Sequence, residues 1–384
     1  MISILHCPEQ VGNNPIVLSK FEKELGLYSI CVSEKDNPYT SSTDHVLQRG
    51  NSPIWLIEIY RLLLILKSSA WGGVVHLNNG RFITPFFGNS VHPKELAFRK
   101  SYRKLIRFYA KILLSTERSL CRIRSNRKAV FITFQGSDAR ESKCFLKEFQ
   151  DNGLADSVIS RSGKSNDSIR SKKKLLADVA DKIYSLNPDL LEVLPTGAEF
   201  LPYATEATIH AKVLPFNDQK EFVIGHAPTH RIVKGTDVVI DVVKKLRSQG
   251  HMVRLELIEG LPRDVALKKY EEIDLFIDQL IIGWYGVVSL EVLALGKPVI
   301  CFTKGKGLKF VDPDMLKDLP IVNANAYTLE KKIIEVMSMD ITQRSKLAEL
   351  GISFLKKWHD PRKIAQKLLK DYNDVLSGRN IKCI

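Results

Sequence analysis

The chain of 384 residues has only six cysteines, Cys7, Cys31, Cys121, Cys144, Cys301 and Cys383, and no two of them form a C-x-x-C pair. Neither a zinc ribbon nor a dithiol redox motif is written here, and the usage suits a reducing cytoplasm. Long apolar runs are scarce as well. The longest, Ile54 to Leu66, is broken by Glu58 and Arg61 and falls short of the roughly 20 residues a membrane helix needs. The opening Met1 to Gly12 lacks a basic stretch followed by an apolar one, so it reads as a strand entering a turn and not as a signal peptide. No repeat of solenoid length recurs.

What is present bounds the answer from the other side. With 44% apolar and 26% charged residues the composition is that of a globular protein, and the length favours two domains over one core. The net charge of +14 is unevenly spread: Ala97 to Lys128 holds eleven Lys or Arg against the single acid Glu117. Such a segment calls for an anionic neighbour.

Ile2 to Cys7 reads as a strand, Gly12 to Pro15 as a turn, and Ile16 to Leu25 as a helix closed by Gly26. Tyr28 to Val32, Val74 to Leu77 and Val130 to Phe134 are further strands, and Ser33 to Asn51 is polar without clear period. Strands alternating with helices predict a parallel sheet. Around Leu201 to Glu221 the pattern loosens, which is the expected boundary. A second βα series follows: strands Phe222 to His226, Val253 to Ile258, Leu275 to Gln279 and Pro298 to Phe302, with helices Thr236 to Gln249, one from Pro262 to about Ile273, and Val287 to Leu295. The fold class is therefore α/β with a doubly wound second half. The expected division is 1–205, 206–360 and a C-terminal helix and tail 361–384, with Asp360 capping the helix at Pro361.

In an open α/β sheet, ligands bind beyond the carboxyl ends of the strands, so two loops stand out. In His226 to Gly235, Arg231 and Lys234 precede a helix N-terminus, a combination that suits a diphosphate; solvated loop charges are the plainer alternative. The second loop is Gly283, Trp284, Tyr285 and Gly286. Its glycines allow a phosphate to approach the backbone, and Glu291, one turn into the next helix, is placed to accept hydrogen bonds from vicinal ribose hydroxyls. An ordinary first-turn acid is the alternative, but among Leu290, Val292 and Leu293 a carboxylate needs a partner.

Taken together, a strand, Arg231-x-x-Lys234-Gly235, a glycine loop and Ser289-Leu-Glu291-Val-Leu-Ala-Leu-Gly296-Lys297-Pro298-Val299 resemble the donor domain of group 1 glycosyltransferases of the GT-B fold. The match spans Phe222 to Phe302, with weaker likeness over Ile4 to Gly26 and Val130 to Arg140. The resemblance implies two Rossmann-like domains facing a cleft, with the C-terminal helix crossing back to the first. It implies a nucleotide-diphosphate-sugar donor, transfer with retention, and a glycan or lipid-linked acceptor in polysaccharide or lipopolysaccharide assembly. Arg231 and Lys234 would hold the diphosphate as the catalytic cations. Glu291 would bind the ribose, and Gly283, Tyr285 and Gly286 would wrap the phosphates and sugar. Gly12 and Asn13 would face the diphosphate from the opposite wall, although with Asn14 they equally form a plain turn. No metal or other cofactor is expected.

Two positions depart from the family pattern. Eight residues before Glu291, where the family has an acid, stands Gly283; Asp278 lies five further upstream, within the expected strand. After Phe131 to Phe134 the family often has a histidine, and here Gln135 follows, which can hydrogen-bond a sugar but cannot act as a base. A sugar-nucleotide epimerase and a non-catalytic sugar-nucleotide binder are the competing readings. Nucleic-acid binding rests on charge alone, lacks an aromatic-basic motif and is not expected. Asp138 and Arg140 are expected to pair with each other or to touch the acceptor. Phe98 to Leu113 interleaves apolar and basic residues as an amphipathic helix would, fitting an anionic membrane surface on the inner face of the cell membrane or a helix packed on the sheet. Lys172, Lys173 and Lys174 either extend that patch or are wet surface.

Overall fold

The computed structural model describes residues 2–8, 12–35, 43–48, 52–84, 112–119, 121, 128–140, 166–215, 221–303 and 305–380. Its first sheet has seven strands, all parallel: β1 (Ser3–Cys7), β2 (Tyr28–Lys35), β3 (His45–Gln48), β4 (Gly73–Asn78), β5 (Ala129–Phe134), β6 (Lys182–Ser185) and β7 (Glu199–Phe200). Their spatial order is β3-β2-β1-β4-β5-β6-β7. The central strands are apolar on both faces because helices cover both faces of a parallel sheet. Ile4, Val74 and Phe131 point into one cluster, while Leu5, Val75 and Val130 point into another, as the period of two requires.

Helices α1 (Asn14–Glu24), α2 (Ile54–Ala70), the helical run 112–119 (α3) and α4 (Asn166–Ala177) flank this sheet. The edge strand β3 falls inside the stretch read as aperiodic. His45 and Val46 are half-exposed or exposed, so the strand carries no alternation to read.

The second sheet is β8 (Phe222–His226), β9 (Val253–Leu257), β10 (Leu275–Ile277), β11 (Val299–Cys301) and β12 (Val322–Asn323), in the order β12-β11-β10-β8-β9. The strand order reverses between β8 and β10, which makes their carboxyl ends the switch point where such sheets bind ligands. Helices α5 (Arg231–Lys234), α6 (Thr236–Ser248), α7 (Arg263–Glu271), α8 (Val287–Leu293), α9 (Pro313–Asp318), α10 (Leu329–Met337) and α11 (Ile341–Trp358) belong to this half.

The last helix, α12 (Pro361–Asn380), begins with Asp360 accepting from the Arg362 amide and returns to the first sheet. Its Leu368 and Tyr372 lie in one apolar cluster with Val17 and Phe21 of α1, and Asp371 takes hydrogen bonds from Lys182 and Tyr184. Tyr372 joins a buried polar network in which its hydroxyl meets His76 at 2.9 Å and donates to Glu22, which also binds His6 and Ser29. Apart from His6 Nδ1, these side-chain polar atoms are hydrogen-bonded, the condition for burying them without a large penalty.

Candidate functional site

The carboxyl ends of β8 and β10 gather the polar residues of the second half. Asp278 lies one residue past β10, not within the strand, and is 3% exposed. One carboxylate oxygen accepts from the Lys234 ammonium, and the other accepts the Gly286 amide at 2.6 Å and the Ser289 hydroxyl at 2.7 Å. Burial alone would raise this carboxyl; the Lys234 charge and the three hydrogen bonds override it and hold Asp278 below the usual carboxylate range.

Gly286 is the residue before α8, so a single acid ties together the cation, the glycine loop and the start of the helix. The approach is close: a side chain begun at Gly286 would put its Cβ 3.4 Å from Asp278 Oδ2 and 3.7 Å from Lys234 Nζ. Beneath lies His226, whose Nδ1 donates to the Ile277 carbonyl at 2.7 Å while Nε2 accepts from the Thr236 hydroxyl at 2.9 Å, a tautomer assigned from these partners. Burial drives its pKa down to about 4, so it is a neutral spacer between the strands.

Arg231 is placed differently. Arg231 and Lys234 lie on one helical turn, not in a loop, and the turn is closed by Gly235 at φ 76°. The Arg231 guanidinium is half-exposed and grips Glu259, with Nε donating to Oε1 at 2.9 Å and the second nitrogen to Oε2. Lys234 therefore stands in the switch-point cluster, and Arg231 stands at its rim in a solvent-facing ion pair. Glu291 is buried as expected for its apolar neighbours. Its partner is Arg263, the first residue of α7, at 2.6 Å. Burial raises the Glu291 carboxyl, with Arg263 opposing.

The first half reaches this place through the loop after β1. Gly12 has φ 64°, and a Cβ there would meet Val287 Cγ2 at 2.8 Å and Gln135 Nε2 at 3.2 Å. Gly12 thus abuts the first residue of α8, with Gln135 beside it. Asn13, at φ 62°, occupies the position before α1 and is 8% exposed. Asn14 accepts the Ala204 amide at 2.8 Å, fastening the loop to the segment that leads to the second half.

Several expectations are corrected. Tyr285 is not at the donor loop's surface: it is fully buried, in ring contact with Trp284, Phe354 and His359, and shares a 3.0 Å hydrogen bond with His359 Nε2. Gly283 is buried too. Asp138 does not pair with Arg140; it accepts the Gln135 and Gly136 amides, whereas Arg140 binds Asp189 at 2.7 Å. Lys173 is not wet surface, because its ammonium turns inward to the Val193 carbonyl at 2.7 Å. The acidic triplet Asp312-Pro313-Asp314 is the start of α9: Asp312 accepts the Asp314 amide and Asp314 pairs with Lys317. Most of the basic segment, 97–111 and 122–127, lies outside the described residues. The sequence showed Asp278 only as the nearest acid upstream of Gly283 and Ser289 only as part of the motif, with no role for either, and gave no sign of Arg263.

A comparison with protein families and one with curated proteins find no match. Solved structures do match. A sucrose-phosphate synthase from Thermosynechococcus elongatus superposes with a TM-score of 0.61 at 12% identity, covering 98% of this chain and 100% of that one. A glycosyltransferase from Rickettsia africae ESF-5 gives 0.56 at 13% identity, with 98% of each chain covered. An alpha-glucosyltransferase in complex with UDP and DNA gives 0.55 at 12% identity, covering 98% of this chain and 99% of the other. With two parallel sheets, a switch-point cluster facing the loop after β1 and near-complete coverage of these chains, the protein has the two-domain GT-B fold.

Proposed function

We propose that the protein is a glycosyltransferase that moves a sugar from a nucleoside-diphosphate sugar to a hydroxyl of a glycan or lipid-linked acceptor, with retention, in cell-surface polysaccharide or lipopolysaccharide assembly. The carrying observation is the meeting of Lys234, the Gly286 amide end of α8 and Gly12 at the switch point of the second sheet. In this reading Lys234 and Arg231 receive the leaving diphosphate, Arg231 by exchanging Glu259 for a phosphate oxygen. Glu291 and Arg263 take the ribose end. The acceptor oxygen bonds to the anomeric carbon as the bond to the diphosphate breaks, and the acceptor proton passes to that diphosphate on the same face.

Such a step asks for placed charge more than for a strong base, which fits Gln135 where a histidine would otherwise stand. The alpha-glucosyltransferase of the same fold is held with UDP, which supports a nucleoside diphosphate as leaving group. No metal is required in this scheme, so activity should persist in a chelator. The basic segment 97–128 would bring the protein to an anionic membrane where a lipid-linked acceptor resides.

A non-catalytic sugar-nucleotide binder is the second reading, favoured because both cations already hold acids and position 283 lacks one. A panel of UDP, GDP, ADP and CMP sugars separates the two. A ligand that binds the folded chain raises its melting temperature by mass action, and only the transferase also releases nucleotide when a crude acceptor is added. Neither a shift nor release with any sugar of the panel would overturn both.

A further inference from the structure

We infer that His359 is a positioning residue: it fastens the glycine loop 283–286 to the junction of the two halves and so sets how the donor loop meets the first half. The inference deepens the transferase reading above and rests on it for its kinetic consequence, while the linkage itself is a property of the ligand-free chain.

The chain passes between the halves twice, from β7 to β8 and from α11 to α12. His359 stands in the second crossing, directly after α11, and is fully buried. Its Nδ1 is 2.8 Å from the Tyr203 carbonyl in the first crossing. A carbonyl only accepts, so Nδ1 carries the proton and Nε2 is left as an acceptor, which the Tyr285 hydroxyl fills at 3.0 Å. The His359 carbonyl accepts the Thr205 amide at 3.4 Å, a second tie between the crossings. Burial keeps the ring uncharged near neutral pH, so one imidazole donates on one side and accepts on the other.

Both arms end at places the site uses. Tyr285 precedes Gly286, whose amide Asp278 holds beside Lys234. Its ring packs on Trp284, which in turn meets Phe200 of β7 edge to face at 5.7 Å. Tyr203 turns its hydroxyl towards Gln135 and Asn187, past the ends of β5 and β6, and Gln135 lies beside Gly12. The next residue, Ala204, is fastened by its amide to Asn14. The walls that carry Gly286 and Gly12 are therefore joined through His359 as well as through the contact of Gly12 with Val287. A change in the angle between the halves has to turn at the two crossings, and both are tied to this ring. The packing against Phe354 would be served by a phenyl ring; the two nitrogens are what join the loop to the crossings.

The test separates the two arms. Tyr285→Phe removes the hydroxyl and keeps the ring, His359→Gln keeps an acceptor for Tyr285, and His359→Asn keeps a donor at the position of Nδ1 for the Tyr203 carbonyl. In hydrogen exchange of the ligand-free chain, Tyr285→Phe should speed the amides at 283–286 and at 203–205 together by about tenfold, the effect of losing one buried hydrogen bond. The amides of β1, β4 and β5 should stay unchanged. With the sugar of the UDP, GDP, ADP and CMP panel that supports nucleotide release, all three variants should lose about tenfold in kcat while the donor KM moves by less than about threefold. That split is expected of a contact that places the halves and does not itself hold the donor. Faster exchange confined to 283–286, wild-type kcat in either variant at 359, or a loss carried wholly by KM would each overturn the assignment. Should the variants at 359 fold poorly, Tyr285→Phe and its exchange pattern decide alone. A wild-type chain that releases nucleotide from no sugar would sink the transferase reading instead, and the exchange pattern would still decide the linkage.

Discussion

Lys234 and Arg231 stand three residues apart on one helical turn, yet their carboxylate partners are 2% and 28% exposed. The Lys234 partner, Asp278, is also held by a backbone amide and a hydroxyl, whereas Glu259 faces solvent. Charge at the end of a strand is thus not one quantity. A cation locked to a buried acid at the switch point is part of the fold's electrostatic frame, and a cation in a wet pair is free to change partners. The same contrast separates Glu291, buried against Arg263, from the acids at the rim.

The comparison can be broken most directly at Asp278. Asp278→Ala would leave the Lys234 ammonium, the Gly286 amide and the Ser289 hydroxyl without their acceptor, and should cost about 3–5 kcal/mol in urea unfolding, as for a broken buried pair. A loss below about 1 kcal/mol would place Asp278 with the exposed pairs instead. Next in size, Lys234→Ala should lower nucleotide release from the donor sugar by about two powers of ten, the effect of one preorganised cationic contact. Equal losses in Lys234→Ala and Arg231→Ala would erase the distinction drawn between them.

Acidification probes the layer under the cluster. His226 and His359 both have folded pKa values near 4 against about 6.5 when unfolded, so below pH 6.5 the unfolded chain binds the more protons. Stability should be flat above about pH 6.5 and fall by on the order of 1.4 kcal/mol per pH unit for each histidine as pH drops towards 4. Asp278, lowered from 3.8, stays charged through that window. His76, also buried and lowered, adds to the slope, so His226→Gln should remove one histidine's share of it in a pH series of melts. Gly12→Ala adds a Cβ against Val287 at a positive φ, and should cost about 1–2 kcal/mol from backbone strain together with reduced donor affinity. The smallest effect belongs to Glu259→Ala, at most about 1 kcal/mol of stability; a larger one would mean that the rim pair is structural.

The second half was the more legible in sequence. Its strands β8 and β11 are short apolar runs bounded by turn residues, β9 alternates apolar and charged residues, and helix α8 begins after Gly286 and is followed by Gly296 at φ 72°, so local chemistry marks both ends. In the first half β3 and β7 carry no period, because one is an edge strand and the other is two residues long. At the site, Lys234, Glu291 and Gly12 could be named from motif and spacing. Tyr285 misled, because a tyrosine between glycines reads the same whether its ring faces solvent or the Phe354 and His359 packing that covers it. Arg263 was invisible: 28 residues separate it from Glu291, and nothing local indicates that the two meet.

By itself the sequence determined the alternation of strands and helices, a doubly wound second half and the strand ends where polar loops emerge. These follow from hydrophobic period and turn residues acting over a few positions. Only the tertiary structure decided which acid answers which cation, that Asp278 stands at the switch point beside Lys234, and that Gly12 of the first half touches Val287 of the second. Those facts depend on strand order and on the packing of distant segments, and no local pattern encodes the distance between residues that meet only when the sheets close.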